Sequence, residues 1–165
     1  MKHDLAAKRL RELLHYDPLT GIFTWRTNRK GLARIGNRAG SYSKGYIEIG
    51  VSTGRYYAHR LAWLYMTGEW PPMTMDHADL DRANNRWANL RLATFSQNGC
   101  NRRRRSDATS RFKGVVFHKQ HKRWWARIRF EGKMKSLGTY ATEVEAGRAY
   151  ADAARRIHGE FARVD

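Results

Sequence analysis

The chain has 165 residues, and its 32 lysines and arginines against 15 acids give a formal charge of +17. A charge of that size calls for a polyanionic partner, nucleic acid first and a membrane surface a weaker second. The sequence shows no run of about 18 or more apolar residues to span a membrane, no apolar core of a signal peptide at its start, and one cysteine, Cys100, which excludes an internal disulfide or a zinc knuckle.

A reducing cytoplasm is therefore the expected compartment. Any metal site must be built from oxygen and imidazole, which leans towards magnesium or manganese. The 41% hydrophobic content, with six Trp and eight Tyr, allows one domain or two small ones.

In chain order, the spacing predicts a helix over residues 4–14, capped by Asp4, with Ala6, Leu10, Leu13 and Leu14 on one face. Asp17-Pro18-Leu19-Thr20-Gly21 reads as a turn and Ile22–Trp25 as a strand. Residues 26–40 are basic and punctuated by glycine, as a loop is. Tyr46–Ile49 and Tyr56–Ala58 read as strands joined through Ser52–Arg55. That hairpin is a platform, and Lys44 and Arg55 at its turns are either phosphate contacts or solvated turn charges. His59–Met66 reads as a short helix stopped at Gly68, and His59 is a candidate catalytic residue at its start. Pro71-Pro72 then forces an extended entry into a strand ending in Met75-Asp76-His77.

The rest of the chain is organised around that strand. Asn89 follows His77 by twelve residues and Asn98 by twenty-one. Between them the pattern predicts a tight polar loop, a second strand and a helix. Phosphodiester hydrolysis needs a cation on the phosphate, a base for the attacking water and something to hold that base. Asp76 and Asn98 offer hard oxygen ligands to a divalent cation. His77 titrates near neutrality and suits the base. Asn89, donor and acceptor on one short side chain, can tie the loop to the histidine strand. On a regular strand Asp76 and His77 would point to opposite faces, so the strand must end or twist there, or one of them acts from the edge. Asp79 and Asp81 are rival ligands that read better as turn residues. Thr94 and Gln97 fit a capping box for the helix, with Asn98 and Asn101 on one face. Arg102, Arg103, Arg104 and Arg105 extend it as a basic tail for phosphate, or as a solvated linker.

Residues 57–105 resemble an HNH homing endonuclease of the phage and intron type, with its ββα-metal fold. The resemblance is carried by Ala58-His59-Arg60-Leu61-Ala62-Trp63, Met75-Asp76-His77, Asn85-Arg86, Asn89-Leu90-Arg91, Ala93-Thr94 and Ser96-Gln97-Asn98. It implies His77 as general base, Asn89 as brace of the loop, and Asp76 and Asn98 as metal ligands. Leu13 to Trp25 is similar to the lead segment of phage-borne members.

After a linker at 106–110 the pattern changes to alternation. Strands are predicted at Gly114–Phe117, Trp124–Phe130 and Met134–Gly138, with a basic turn, Lys119-Gln120-His121-Lys122-Arg123, between the first two. Trp124, Ala126, Ile128 and Phe130 share one face; Trp125, Arg127 and Arg129 share the other. A helix opens with the Thr142/Glu145 capping box, carries Ala146, Ala149, Tyr150, Ala153 and Ile157 as its stripe, and stops at Gly159. The open face is expected to carry Arg127, Arg129 and Lys135 towards DNA, where arginine pairs with guanine edges. Residues 111–165 resemble the plant Apetala-two, or ethylene-response-factor, DNA-binding domain. The carrying residues are Phe112-Lys113-Gly114-Val115, Trp124 to Arg129, Leu137-Gly138-Thr139-Tyr140 and Glu145 to Tyr150. That resemblance carries Lys113, Arg127 and Arg129 over as base-reading positions; the sequence departs from it at Val116 and Ser136.

The expected fold class is α+β. A small N-terminal β platform with a ββα-metal unit at about 70–105 makes a nuclease domain over 1–105. A three-stranded antiparallel sheet on one helix makes a DNA-binding domain over 111–165. The function expected is magnesium- or manganese-dependent, site-specific cleavage of double-stranded DNA by a monomer of phage or mobile-element origin, acting in a bacterial cytoplasm with no membrane or obligate protein partner. His77, Asn89 and His59 are its catalytic candidates and Asp76 and Asn98 its metal ligands. Arg102, Arg103, Arg104, Lys113, Lys122, Arg123, Trp125, Arg127, Arg129 and Lys135 are its DNA contacts. The alternatives are a DNA-binding regulator with an inactive nuclease module and a basic structural nucleoid protein.

Overall fold

The computed structural model describes residues 5–29, 31, 33–51, 54–102 and 108–164. The expected cap Asp4, the Ser52-Thr53 turn, and Arg103, Arg104 and Arg105 with the start of the linker lie outside the described residues. The chain divides into two compact units, Met1–Thr94 and Phe95–Asp165.

In the first unit, α1 (Ala7–Leu13) is shorter than the pattern predicts. Leu14 is already extended and opens β1 (Leu14–Asp17), which pairs antiparallel with β2 (Ile22–Trp25). The helical spacing misreads β1 because Leu13 and Leu14 serve both elements: each is buried, with Leu10, Tyr16 and Phe23, in one core. The turn between β1 and β2 is set by Asp17, whose carboxylate accepts from Leu19 N and Thr20 Oγ1.

A second sheet has the order β3 (Ser41–Ser43), β4 (Tyr46–Val51), β5 (Gly54–Tyr57). Its first strand, Ser41-Tyr42-Ser43, is exposed and polar and leaves no mark on the hydrophobic pattern. Lys44 and Gly45 both take positive φ, +48° and +89°, in the turn to β4, the twist that a two-residue hairpin needs. Helix α2 (Ala58–Thr67) follows at once and is closed by a left-handed Gly68. Its buried Leu61 and Leu64 join Leu5, Leu10 and Ile49 in the core. The last pair of strands is β6 (Thr74–His77) and β7 (Leu90–Ala93), antiparallel, with Asp76 opposite Arg91 and His77 opposite Leu90.

The second unit opens with α3 (Phe95–Cys100). The expected continuation through Arg102 does not form: the helix ends at Cys100, and the Lys113 ammonium takes up the carbonyls of Cys100 and Arg102. Gly99 in the last turn is a weak helix former, so little opposes that ending. Three antiparallel strands follow in the order β10 (Lys133–Tyr140), β9 (Arg123–Phe130), β8 (Val115–His118). Helix α4 (Glu143–His158) packs on them, with the Thr142/Glu145 capping box formed in both directions. Ala146, Tyr150, Ala153 and Ala154 meet Val115, Ala126 and Ile128 in a compact core. Small alanines let the helix lie close, and Gly147 lies so near Phe112 that an added Cβ would stand 2.6 Å from its ring.

The fold is therefore α+β, with antiparallel sheets in both units. Among the described residues no helix is long and apolar enough to cross a membrane.

Candidate active site

The β6–β7 ribbon sets the first two side chains. Cross-strand partners share a face, so Asp76 goes with Arg91 and His77 with Leu90. His77 is the last residue of β6, so the pair stands where the strand ends, and the Asp76 carboxylate acts on the His77 charge. Asp76 is 4% exposed. Its Oδ2 accepts from Arg91 Nε at 3.0 Å and Nη2 at 2.8 Å, a charge-assisted pair of bonds that fixes the carboxylate.

His77 is buried against α2 and the second sheet. Its ring meets His59 edge-on at a centroid distance of 5.0 Å and Tyr46 at 6.3 Å. His59, in the first turn of α2, stacks on Tyr57 at 5.5 Å with 10° between the planes. Burial, then the positive charge of His77 and of Arg60, pushes the His59 pKa down to about 3. His59 is thus neutral near pH 7, and its Nδ1 is buried with no hydrogen-bond partner. Burial also lowers the pKa of His77, against the opposing pull of Asn85, Asp79, Asp76 and Asp81.

The polar loop between β6 and β7 is closed by Asn89. Its Oδ1 accepts from Asp79 N at 3.0 Å, and its Nδ2 donates to Asp79 Oδ1 at 2.9 Å and Asn84 O at 2.8 Å. Asp79 also accepts from Asp81 N and Asn84 Nδ2, and Asp81 from Ala83 N. Both aspartates thus serve the turn. Burial would raise the Asp79 pKa, but its bonds from Asn84, Asn89 and Asp81 hold it low.

Asn85 is a site residue that sequence reasoning passed over. Its Nδ2 donates to Ala83 O at 3.0 Å, which turns Oδ1 towards His77 Nε2 at 3.3 Å. An amide oxygen accepts, so the network assigns the proton to Nε2 and leaves Nδ1 the basic nitrogen. Asn85 is itself held from the N-terminal hairpin. Tyr16 Oη donates to Asn85 O at 2.7 Å, and Trp87 N donates to Pro18 O at 3.0 Å. Gly21, at φ +73°, lies against the same backbone: a Cβ there would stand 2.4 Å from Asn85 C and Arg86 N. The signal was present in the quoted Asn85-Arg86 and Leu13–Trp25 words, but nothing in the sequence showed that they meet.

Among the described residues no three of His, Cys, Asp and Glu form a cage for a metal ion. Among the described residues of the first unit the buried carboxylate is that of Asp76, paired with Arg91. That donor set does not fit a zinc-type cage. It fits a hard cation that keeps most of its water and takes oxygens from a phosphate. Asn98 is half-buried on α3, in the second unit.

On the second unit's sheet, Ala126 and Ile128 of β9 are buried towards α4, which leaves Trp125, Arg127 and Arg129 on the opposite face. Opposite Trp125 stand Val116 and Thr139, opposite Arg127 Ser136, and opposite Arg129 Met134. The two positions that depart from the plant pattern, Val116 and Ser136, thus lie on this face. His118 stacks on Trp125 at 4.3 Å and His121 lies at 6.1 Å. Trp125 Nε1 and His118 Nδ1 are buried without hydrogen-bond partners. Lys122 and Arg123 are exposed at the end of the β8–β9 hairpin. One expectation is corrected. Lys135 pairs with Ile128, so it lies on the helix side of the sheet, with its ammonium 4.5 Å from the Phe130 ring centre. The register runs unbroken from Lys133 opposite Phe130 to Ser136 opposite Arg127, so the face of Lys135 follows from pairing across the Glu131-Gly132 turn and not from alternation within one strand. Lys113 is half-buried and turned to the end of α3, and Arg102 is exposed just beyond that helix.

A buried acid and a buried histidine thus stand on one ribbon, with the asparagine-tied loop against the imidazole. The family model for HNH endonuclease matches residues 56–100, a stretch that runs from β5 to the end of α3. Among curated proteins, the chain is 31% identical over 137 residues to the AP2-like ethylene-responsive transcription factor AIL5 of Arabidopsis thaliana, covering 79% of this chain and 23% of that protein. It is 35% identical over 96 residues to the AP2-like ethylene-responsive transcription factor CRL5 of Oryza sativa subsp. japonica, covering 54% of this chain and 15% of that protein. The chain therefore spans less than a quarter of the length of these relatives. Residues 56–100 are thus similar to HNH endonucleases, and the chain also carries sequence similar to AP2-like transcription factors.

Proposed function

We propose that the chain is a DNA endonuclease of the HNH homing type, hydrolysing phosphodiesters of double-stranded DNA with a divalent cation, magnesium or manganese. The observation that carries this reading is His77, buried, turned by Asn85 and one residue from a fixed Asp76, inside the segment that the HNH model matches. His77 Nδ1 takes the proton of the attacking water. Asn85 and the Asn89-tied loop keep that nitrogen in place, and Arg91 keeps Asp76 from turning. When bound, the cation would rest on Asp76 and supply charge stabilisation to the phosphate and the leaving oxygen. The share of Asn98 in holding it rests on the family resemblance alone, and Asn98→Ala tests it. The open sheet face with Trp125, Arg127 and Arg129 would grip or select the DNA, a role supported by the likeness to AP2-like transcription factors.

The test is cleavage of plasmid and genomic DNA with magnesium, with manganese and with chelator. His77→Ala is expected to lower the rate by about 10²–10⁴-fold; equal cleavage by mutant and wild type would refute the assignment. One observation favours a second reading, a DNA-binding regulator with a silent nuclease: Arg91 already sits on Asp76 Oδ2. Tight binding with no metal-dependent breakage of any DNA would select it.

A further inference from the structure

The second unit holds a cavity of about 460 Å³. Arg102, Lys113, Arg129 and His158 line it together with Cys100 and Tyr150, and among the described residues no aspartate or glutamate does. Arg102, Lys113 and Arg129 come from the end of α3, the approach to β8 and the middle strand, far apart in sequence. Each was a candidate DNA contact on its own, and the fold gathers them around one space. The Lys113 ammonium is fixed there by the carbonyls of Cys100 and Arg102. His158 Nδ1 lies 3.5 Å from Cys100 Sγ.

A half-enclosed space ringed by two guanidiniums and an ammonium, with no carboxylate to neutralise them, is built for an anion. Arginine forks match the oxygens of a phosphate in pairs, and a buried wall raises the value of each bond. We propose that this cavity, within the second unit and bordered by Arg129 of the sheet, is a phosphate-ester site. Its occupant is a phosphate group, supplied either by a DNA backbone or by a free nucleotide. The site stands on the cavity alone; only its occupation by DNA rests on the function proposed above.

Cys100 makes the site directly measurable, because it lines the cavity and is the chain's only cysteine. Alkylation of the 165-residue chain by iodoacetamide is followed by mass, at alkaline pH because burial pushes the thiol pKa up. Inorganic phosphate at about ten times its dissociation constant is expected to slow the reaction roughly tenfold, by mass action. Chloride at matched ionic strength should leave the rate unchanged. Arg102→Gln combined with Arg129→Gln, both at exposed side chains, should abolish the protection while leaving the unprotected rate near that of the wild type. No slowing by phosphate, or equal slowing in wild type and double variant, would overturn the site. A nucleoside monophosphate and a short duplex then replace phosphate. Protection by the duplex assigns the site to a backbone phosphate; protection by the nucleotide alone keeps the site and assigns it to a free nucleotide. Because alkylation is read rather than cleavage, failure here leaves the nuclease reading intact, and an inactive nuclease leaves this site testable.

Discussion

At the scale of single residues, Asn85 decides what His77 can do. With Asn85→Ala the imidazole loses its acceptor at Nε2 and can turn or change tautomer. Misplacement of that kind costs about 100-fold in rate, so kcat should fall by that order with KM for DNA little changed, read from single-turnover cleavage. Asn89→Ala acts on the loop instead. It removes the bonds to Asp79 and Asn84, at about 1 kcal/mol for each neutral bond lost, and should lower the denaturation midpoint as well as the rate. His59 gives the protein a pH signature. Its folded pKa of about 3 lies below the ordinary 6.5, so the unfolded chain binds the proton more readily. Stability at this residue is full above about pH 6.5 and falls as pH drops from there towards 3. His77, lowered by burial too, acts with the same sign. Thermal midpoints measured from pH 7.5 to 4 should fall less steeply in His59→Gln than in wild type, and parallel curves would show that His59 contributes nothing.

At the scale of elements, the N-terminal hairpin is a support for the site loop. Gly21→Ala would place a methyl 2.4 Å from the Asn85–Arg86 backbone, at a φ of +73°. A loss of roughly 1–3 kcal/mol is expected, with a drop in cleavage larger than the loss of fold explains. Tyr16→Phe removes one donor from the buried Asn85 carbonyl and should cost about 1–3 kcal/mol by urea unfolding. This scale also shows what was legible in the sequence. The strands of the second unit and the capping box of α4 could be read because alternation and the Thr142/Glu145 spacing are local signals. The Met75-Asp76-His77 strand and its partner were legible for the same reason. β1 was not, because Leu14 continues the helical spacing of α1, and β3 was not, because Ser41 and Ser43 carry no apolar mark. The contact between Tyr16 and Asn85 spans 69 residues, and no periodicity reports a pairing at that distance. The face of Lys135 was misread because it is set by the register across the Glu131-Gly132 turn, which alternation within one strand does not report.

For the molecule as a whole, the +17 charge means that affinity for DNA will fall steeply with salt. Arginines that touch phosphate and arginines that read bases separate in a salt titration. A variant that loses one phosphate contact lowers the slope of log K against log salt by about 0.9. Loss of a base contact leaves the slope and costs about 1–3 kcal/mol at one position of the site. Arg127→Gln, on the open face beside Trp125, is expected to behave in the second way and Lys122→Gln, at the exposed turn, in the first. Equal slopes and equal sequence preference for both variants would remove the sheet face from DNA recognition.

The wedge of Gly21 and Tyr16 against Asn85 bears on anyone wishing to move the proposed nuclease site to another chain. Residues 56–100 look like a portable cassette, yet Asn85, whose side-chain oxygen faces the imidazole, has its backbone carbonyl held by a hairpin that lies more than thirty positions before the cassette begins. A graft of the cassette alone would arrive with a loose histidine, and a working transplant has to bring residues 14–25 with it.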